Sequence, residues 1–213
     1  MTRPSIINAL ETTPAASETP MTQSFISNAL NTTPATSEPP MTRSFVSYDL
    51  QTAPIASREI LAENQRKFGF IPSPLAKLAL SPLALQLAIA GLSAFDHSSL
   101  APLEREVVAM TLGVKNGCHY CVALHRRLLT LLEAPPALTQ ALEQGRPLDS
   151  PKLEALRVFT LALLERTGDV SADVWQRFLA AGFDRTAALE VVVGIAAYTL
   201  TTFANRLTEA PLD

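Results

Sequence analysis

Cys118 and Cys121 are the only cysteines of the chain, and they stand as C-x-x-C. They fall in the stretch LEREVVAMTLGVKNGCHYCVALHRR, from Leu103 to Arg127. The same stretch holds two of the three histidines, His119 and His125, and a carboxylate, Glu106. These residue types in this order point to thiol redox chemistry. The thiolate is the nucleophile. A free thiol pKa of about 8.5 falls to roughly 3.5–7.5 at a helix N-terminus, beside a histidine, or in C-x-x-C. A low-pKa thiol attacks a peroxide O–O bond and becomes a sulfenic acid, and a second cysteine then closes a disulfide.

Two helices must position these groups. Leu103, Val107, Met110 and Val114 follow i, i+4, i+7, i+11, one apolar helical stripe. Pro102 suits the first turn of that helix. Gly113 and Asn116-Gly117 read as breakers, which end it near Lys115. A second helix starts at Gly117 or Cys118 and carries Cys121, His125 and Leu129. At 100° per residue, Cys118, Cys121 and His125 share a sector of about 60°. Cys121 and His125 are i, i+4 neighbours, and both thiols lie at the positive end of the helix dipole. His125 is therefore placed to take the proton of Cys121. Glu106 is a candidate to orient His125 across the helix pair, as a base held by a third group.

Glu106, Cys118, Cys121 and His125 spell E-x11-C-x-x-C-x3-H. With this pattern, and with Phe68-Gly69-Phe70-Ile71-Pro72, Ser81-Pro82 and the segment Asn205 to Asp213, the chain resembles the AhpD-like alkylhydroperoxidases of the carboxymuconolactone decarboxylase superfamily. The resemblance spans about Ser44 to Asp213. It implies that Cys121 passes through the sulfenic acid and that Cys118 is proton donor and disulfide partner. It also implies a His125–Glu106 proton relay, and a lipoamide-type dithiol or a peroxiredoxin as reductant. Some members carry a histidine directly before the second cysteine. Here that residue is Tyr120, and the histidine is one place earlier, at His119.

Two other readings stay open. A C-x-x-C that senses oxidant without turnover is one. A cofactor-free lactone decarboxylase-type enzyme on the same scaffold is the other, although the superfamily's decarboxylases typically lack the C-x-x-C. Zinc wants four ligands, and His119 projects about 120° away from His125 on the helix, so no metal is expected. The peroxidase cycle needs no metal, flavin or haem. A thioredoxin-like site needs strands around its C-x-x-C, and no alternating pattern is present. His119 is read as exposed and Tyr120 as packing. Trp175, with Val174, Phe178 and Leu179, is read as core or subunit interface.

The chain has 213 residues, 47% of them hydrophobic and 17% charged, with net charge −3. There is no basic cluster, hence no expected nucleic-acid partner. Charge is low against a typical level of about 25%, which suggests a homo-oligomer. Two cysteines in one C-x-x-C do not make a secreted disulfide scaffold. The N-terminus lacks a signal-peptide pattern. The apolar runs Leu78–Phe95 and Val191–Ala204 are interrupted or short for a membrane span. A cytoplasmic protein acting on a hydroperoxide and a dithiol or protein-thiol reductant is expected.

Residues 1–40 are two copies of a twenty-residue Thr/Ser/Pro-rich repeat that agree at 13 of 20 positions, and a third copy begins at Met41. Solenoid repeats carry an apolar consensus that these lack. Composition predicts a flexible extension, most simply a duplicated coding segment. A docking role for Ile6-Ile7-Ala9-Leu10 and Phe25-Ile26-Ala29-Leu30 is the alternative. Residues 41–213 read as one all-α domain. Ser57 is expected to cap a helix to Phe68, and Ser73-Pro74, Ser81-Pro82 and Ser150-Pro151 to open further helices as N-cap plus first-turn proline. Pro135-Pro136 precedes a short helix, Ser171 caps another, and the last runs from Asp184 to Leu207. Gly194 in that helix is read as a close helix approach, with a subunit interface as one place for it.

Overall fold

A computed structural model describes residues 44–213. The two complete repeats and the proposed docking segments lie outside the described residues. The remainder of the third copy has no helix or strand from Ser44 to Asp49 and leads through a turn into the first helix. Its Tyr48 amide donates to the Ala76 carbonyl at 3.0 Å. Asp49 closes a turn by accepting from the Gln51 and Thr52 amides at 2.9 and 2.8 Å and from the Thr52 hydroxyl at 2.7 Å.

Among the described residues the structure is all-helical. The helices are α1 (Ile55–Phe68), α2 (Ser73–Leu78), α3 (Pro82–Asp96), α4 (Pro102–Lys115), α5 (His119–Leu131), α6 (Pro136–Glu143), α7 (Pro151–Glu165), α8 (Ala172–Ala180) and α9 (Arg185–Leu207). Several starts follow one local rule. Ser81, Ser150, Ser171 and Asp184 each accept a hydrogen bond from the amide three residues on, at 3.3, 3.4, 3.4 and 2.7 Å. This satisfies an amide that has no partner within the helix.

Two expected caps are corrected. Ser57 does not cap α1, which begins at Ile55 after Pro54. It is fully buried inside the helix, and its hydroxyl donates to the Ala79 carbonyl at 2.8 Å, tying α1 to the end of α2. A buried hydroxyl needs such a partner. Ser73 is the first residue of α2 rather than its cap. Its amide and hydroxyl both donate to one Asp213 carboxylate oxygen, at 2.9 and 2.6 Å.

α4 is the centre of the fold. Val107 through Gly113 are all buried, so this helix is covered around its whole circumference, as a central core helix must be. It packs against α5, α6, α7 and α9. The larger core joins Val107, Val108, Met110 and Leu112 to Leu129 of α5, Leu156 and Phe159 of α7, Phe178 of α8 and Val191 of α9. The expected aromatic core on α8 is present: Phe178 stacks on Phe159 at 4.0 Å and on Phe183 at 4.7 Å between ring centroids. A smaller core gathers Ala53, Leu61, Leu75, Leu78 and Leu85, with Tyr48, Leu50 and Leu200 against it.

α9 spans 23 residues and is long and apolar enough by composition to cross a membrane. Its buried side, Val191, Gly194, Ala197, Thr202 and Asn205, packs instead against α3 and α4, as in a core helix. Gly194 marks the expected close approach, but within the chain. A Cβ there would lie 2.6 Å from the Phe95 ring of α3.

Candidate active site

The site forms where α4 stops and α5 starts. Gly117 takes φ +63°, which a residue without Cβ adopts without strain. The Cys118 amide donates back to the Gly113 carbonyl at 2.9 Å, and the Gly117 amide to Val114 at 3.0 Å. These are the two bonds of a Schellman stop. Cys118 is then also the N-cap of α5: its backbone is extended and its sulfur accepts from the Cys121 amide at 3.3 Å. The position that serines fill at α3, α7 and α8 is filled here by a cysteine sulfur. Cys121 lies three residues on, in the first turn, where unpaired amides and the helix dipole favour a negative sulfur.

The two cysteines form a disulfide, with their Cα atoms 5.3 Å apart. Both are buried, Cys118 at 1% and Cys121 at 5% exposure, and so is His125 at 3%. Gly113 is not a breaker: it lies inside α4, and what it provides is room. A Cβ at Gly113 would come within 3.3 Å of the Cys121 Cβ, so the glycine lets α4 approach α5 closely at Cys121.

Glu106 reaches His125 across the helix pair: its Oε2 lies 2.7 Å from Nδ1. With Nδ1 facing the carboxylate, Nε2 is the ring nitrogen left for another partner. The edge of Tyr198 from α9 packs on His125, ring centroids 5.2 Å apart at 76°. Burial raises the Tyr198 phenol pKa, and the nearby Glu106 and Asp96 carboxylates add to this. The phenol therefore stays protonated.

His119 is exposed, as its helical angle requires. The Tyr120 hydroxyl donates to Asp213 Oδ2 at 2.6 Å. Burial raises the Tyr120 pKa, and the Asp213 hydrogen bond and charge raise it further. Asp213 thus fastens the end of the chain to both α2 and α5.

Sequence reasoning missed the contribution of α9. Asn205 is buried, and its amide nitrogen lies 3.5 Å from Cys121 Sγ and 3.8 Å from Cys118 Sγ. Arg206 donates to the Asn116 carbonyl at 2.7 Å, and the Asn116 side chain donates to the Thr202 hydroxyl at 2.9 Å. The end of α9 is in this way fixed to the turn that precedes Cys118. The available signal was a lone Asn late in an apolar helix, where a buried amide needs a purpose.

The fold has counterparts among solved structures. An uncharacterized peroxidase-related protein from Ralstonia eutropha JMP134, described as an alkylhydroperoxidase AhpD core, superposes with a TM-score of 0.70 at 21% identity. The match covers 79% of this chain and 91% of that one. This is the AhpD-like fold. A peroxidase-related protein from Silicibacter sp. TM1040 shares it with a TM-score of 0.66 at 19% identity, over 83% of this chain and 95% of that one. So does the debrominase Bmp8, solved as a cysteine-to-alanine variant in complex with 2,3,4-tribromopyrrole. Its TM-score is 0.60 at 15% identity, over 79% of this chain and 94% of that one. No protein-family model and no curated protein matches the sequence. The AhpD-like fold thus carries here a C-x-x-C at the start of a core helix, with a Glu–His pair beside it.

Proposed function

We propose that the chain is a thiol-dependent hydroperoxide reductase. The observation that carries this reading is the Glu106–His125 contact at 2.7 Å, one helical turn from Cys121 in the C-x-x-C. Cys121, as thiolate, attacks the terminal peroxide oxygen. The O–O bond breaks, the alcohol leaves, and Cys121 becomes a sulfenic acid. His125 Nε2 takes the thiol proton and returns it to the leaving alkoxide, while Glu106 holds the ring and offsets the imidazolium charge. Cys118 then attacks the Cys121 sulfur, water leaves, and the disulfide forms. An external dithiol or protein thiol supplies two electrons to restore the pair, so the cycle closes with no further cofactor. Such a reductant is maintained in a cytoplasmic, reducing setting.

The partner expected besides substrate and reductant is a second copy of the chain. Leu189, Val193, Phe203 and Leu207 on α9, and Leu83 and Leu87 on α3, are exposed. An apolar surface of this kind favours self-association.

The debrominase neighbour supports a second reading of the same electrons. Two thiols convert a carbon–bromine bond to carbon–hydrogen, releasing bromide and a proton and ending at the same disulfide. Parallel assays with a hydroperoxide and with tribromopyrrole, each with a dithiol in excess, separate the two. Hydroperoxide turnover without bromide release is expected. Bromide release alone would replace the first reading with the second.

A further inference from the structure

Asn205 is 6% exposed, and its carbonyl oxygen Oδ1 is buried with no hydrogen-bond partner. Its Nδ2 lies over both sulfurs, at 3.5 Å from Cys121 and 3.8 Å from Cys118. A buried amide oxygen without a donor is costly, and native structures keep few of them. In the disulfide the sulfurs carry no hydrogen, so neither can donate. On reduction this changes. One cysteine becomes a thiolate, an acceptor that a neutral amide N–H stabilises more strongly than it does a disulfide sulfur. The other becomes a thiol and gains an S–H, a donor suited to a lone carbonyl oxygen. An amide offers one group of each kind in fixed geometry. Thr202, Asn116 and Arg206 hold this part of α9 in register with the cysteine turn.

We infer that Asn205 is a further catalytic residue: Nδ2–H donates to the Cys121 thiolate, and Oδ1 accepts the Cys118 thiol proton in the dithiol state. The amide thereby favours charge on Cys121 rather than on Cys118 and orients the resolving thiol toward it. This assignment rests on Cys121 being the reacting sulfur, as proposed above. It adds an α9 residue to the reacting groups, which otherwise come from α4 and α5.

The test titrates Cys121 alone, in full-length protein carrying Cys118→Ser, by ultraviolet absorbance of the thiolate. Serine is a favoured N-cap, so this background keeps the start of α5. Adding Asn205→Leu removes both polar atoms at similar volume. Loss of one hydrogen bond to a charged group is expected to lower the thiolate-to-thiol ratio about tenfold, a midpoint shift of about one pH unit upward. Asn205→Asp, which lacks the donor and adds a negative charge, is expected to shift it further up. Asn205→Ala only removes atoms and repeats the measurement should the leucine variant fail to fold. An unchanged midpoint in a folded leucine or alanine variant overturns the assignment. The titration uses no peroxide. An upward shift in a protein that turns over no peroxide would keep Asn205 as the thiolate's partner and reject the peroxidase reading instead.

Discussion

Glu106 Oε2 and His125 Nδ1 lie 2.7 Å apart, and they come from different helices separated by the turn that carries Cys118. This contact joins the carboxylate at the start of α4 to the base on α5, with both cysteines between them in sequence. In the proposed relay it holds the ring and leaves Nε2 to exchange the proton. Glu106→Gln preserves the shape and removes the charge. It is expected to lower kcat/KM for a hydroperoxide by on the order of 10²-fold or more. His125→Asn is expected to do the same, and the double variant little worse than either, because the two act as one unit. Additive losses in steady-state kinetics would contradict the relay.

Cys118 has two roles that one substitution separates. As N-cap its sulfur accepts from the Cys121 amide, and as a thiol it closes the disulfide. Cys118→Ser is expected to leave Tm nearly unchanged under reducing conditions and to let a Cys121 sulfenic acid accumulate after one peroxide addition. Cys118→Ala is expected to cost about 1 kcal/mol of stability as well. Dimedone labelling read by mass spectrometry, beside thermal melts, checks both parts.

Two glycines test close packing in opposite ways. In a helix, Gly→Ala gains about 1 kcal/mol of propensity. At Gly194 the new methyl would sit 2.6 Å from the Phe95 ring, an overlap expected to outweigh that gain and leave a net loss of about 1–3 kcal/mol. At Gly113 the contact is 3.3 Å, to the Cys121 Cβ. There, stability is expected to stay within about 1 kcal/mol of wild type, while the peroxide reaction slows because Cys121 is displaced. Denaturant melts and oxidation rates on both variants distinguish the outcomes.

The Asp213 latch has a pH signature. Burial pushes the Asp213 pKa up, but the hydrogen bonds from the Ser73 hydroxyl, the Tyr120 hydroxyl and the Ser73 amide together hold it below 3.8. A depressed carboxyl pKa stabilises the fold above the unfolded value, near 3.8 here, and loses that contribution as pH falls through the folded value. Wild type is therefore expected to exceed Asp213→Asn in Tm at neutral pH, with the gap closing below about pH 4. A gap independent of pH would contradict the latch.

The upstream repeats keep Leu, Thr, Pro and Ser where Leu50, Thr52, Pro54 and Ser57 stand, but replace Asp49 with Ala9 and Ala29. They lack the carboxylate that closes the Asp49 turn. Deleting residues 1–40 is therefore expected to leave folding and turnover intact. Loss of either, by circular dichroism or activity, would favour the docking reading.

Periodicity and punctuation made most of this fold legible. Serine before proline marked the starts of α3 and α7, and the apolar stripe from Leu103 to Val114 marked α4. The C-x-x-C-x3-H spacing placed Cys118, Cys121 and His125 on one side of α5. Ser57 and Gly113 misled because local rules carry two meanings. A serine near a helix start is a cap or a buried hydroxyl with a distant acceptor. A glycine near a helix end is a breaker or a gap for a neighbour. Asn205 and Tyr198 were not legible as site residues, because their places depend on how α9 crosses α3 and α4, which no local spacing encodes.

The most direct measurement is hydroperoxide consumption by the purified full-length protein with a dithiol in excess, wild type beside Cys121→Ser. Turnover many times the enzyme concentration, abolished by the substitution, is the expected result. A single stoichiometric oxidation across a panel of dithiol and protein-thiol reductants, or turnover that survives Cys121→Ser, would contradict a peroxidase that works through Cys121.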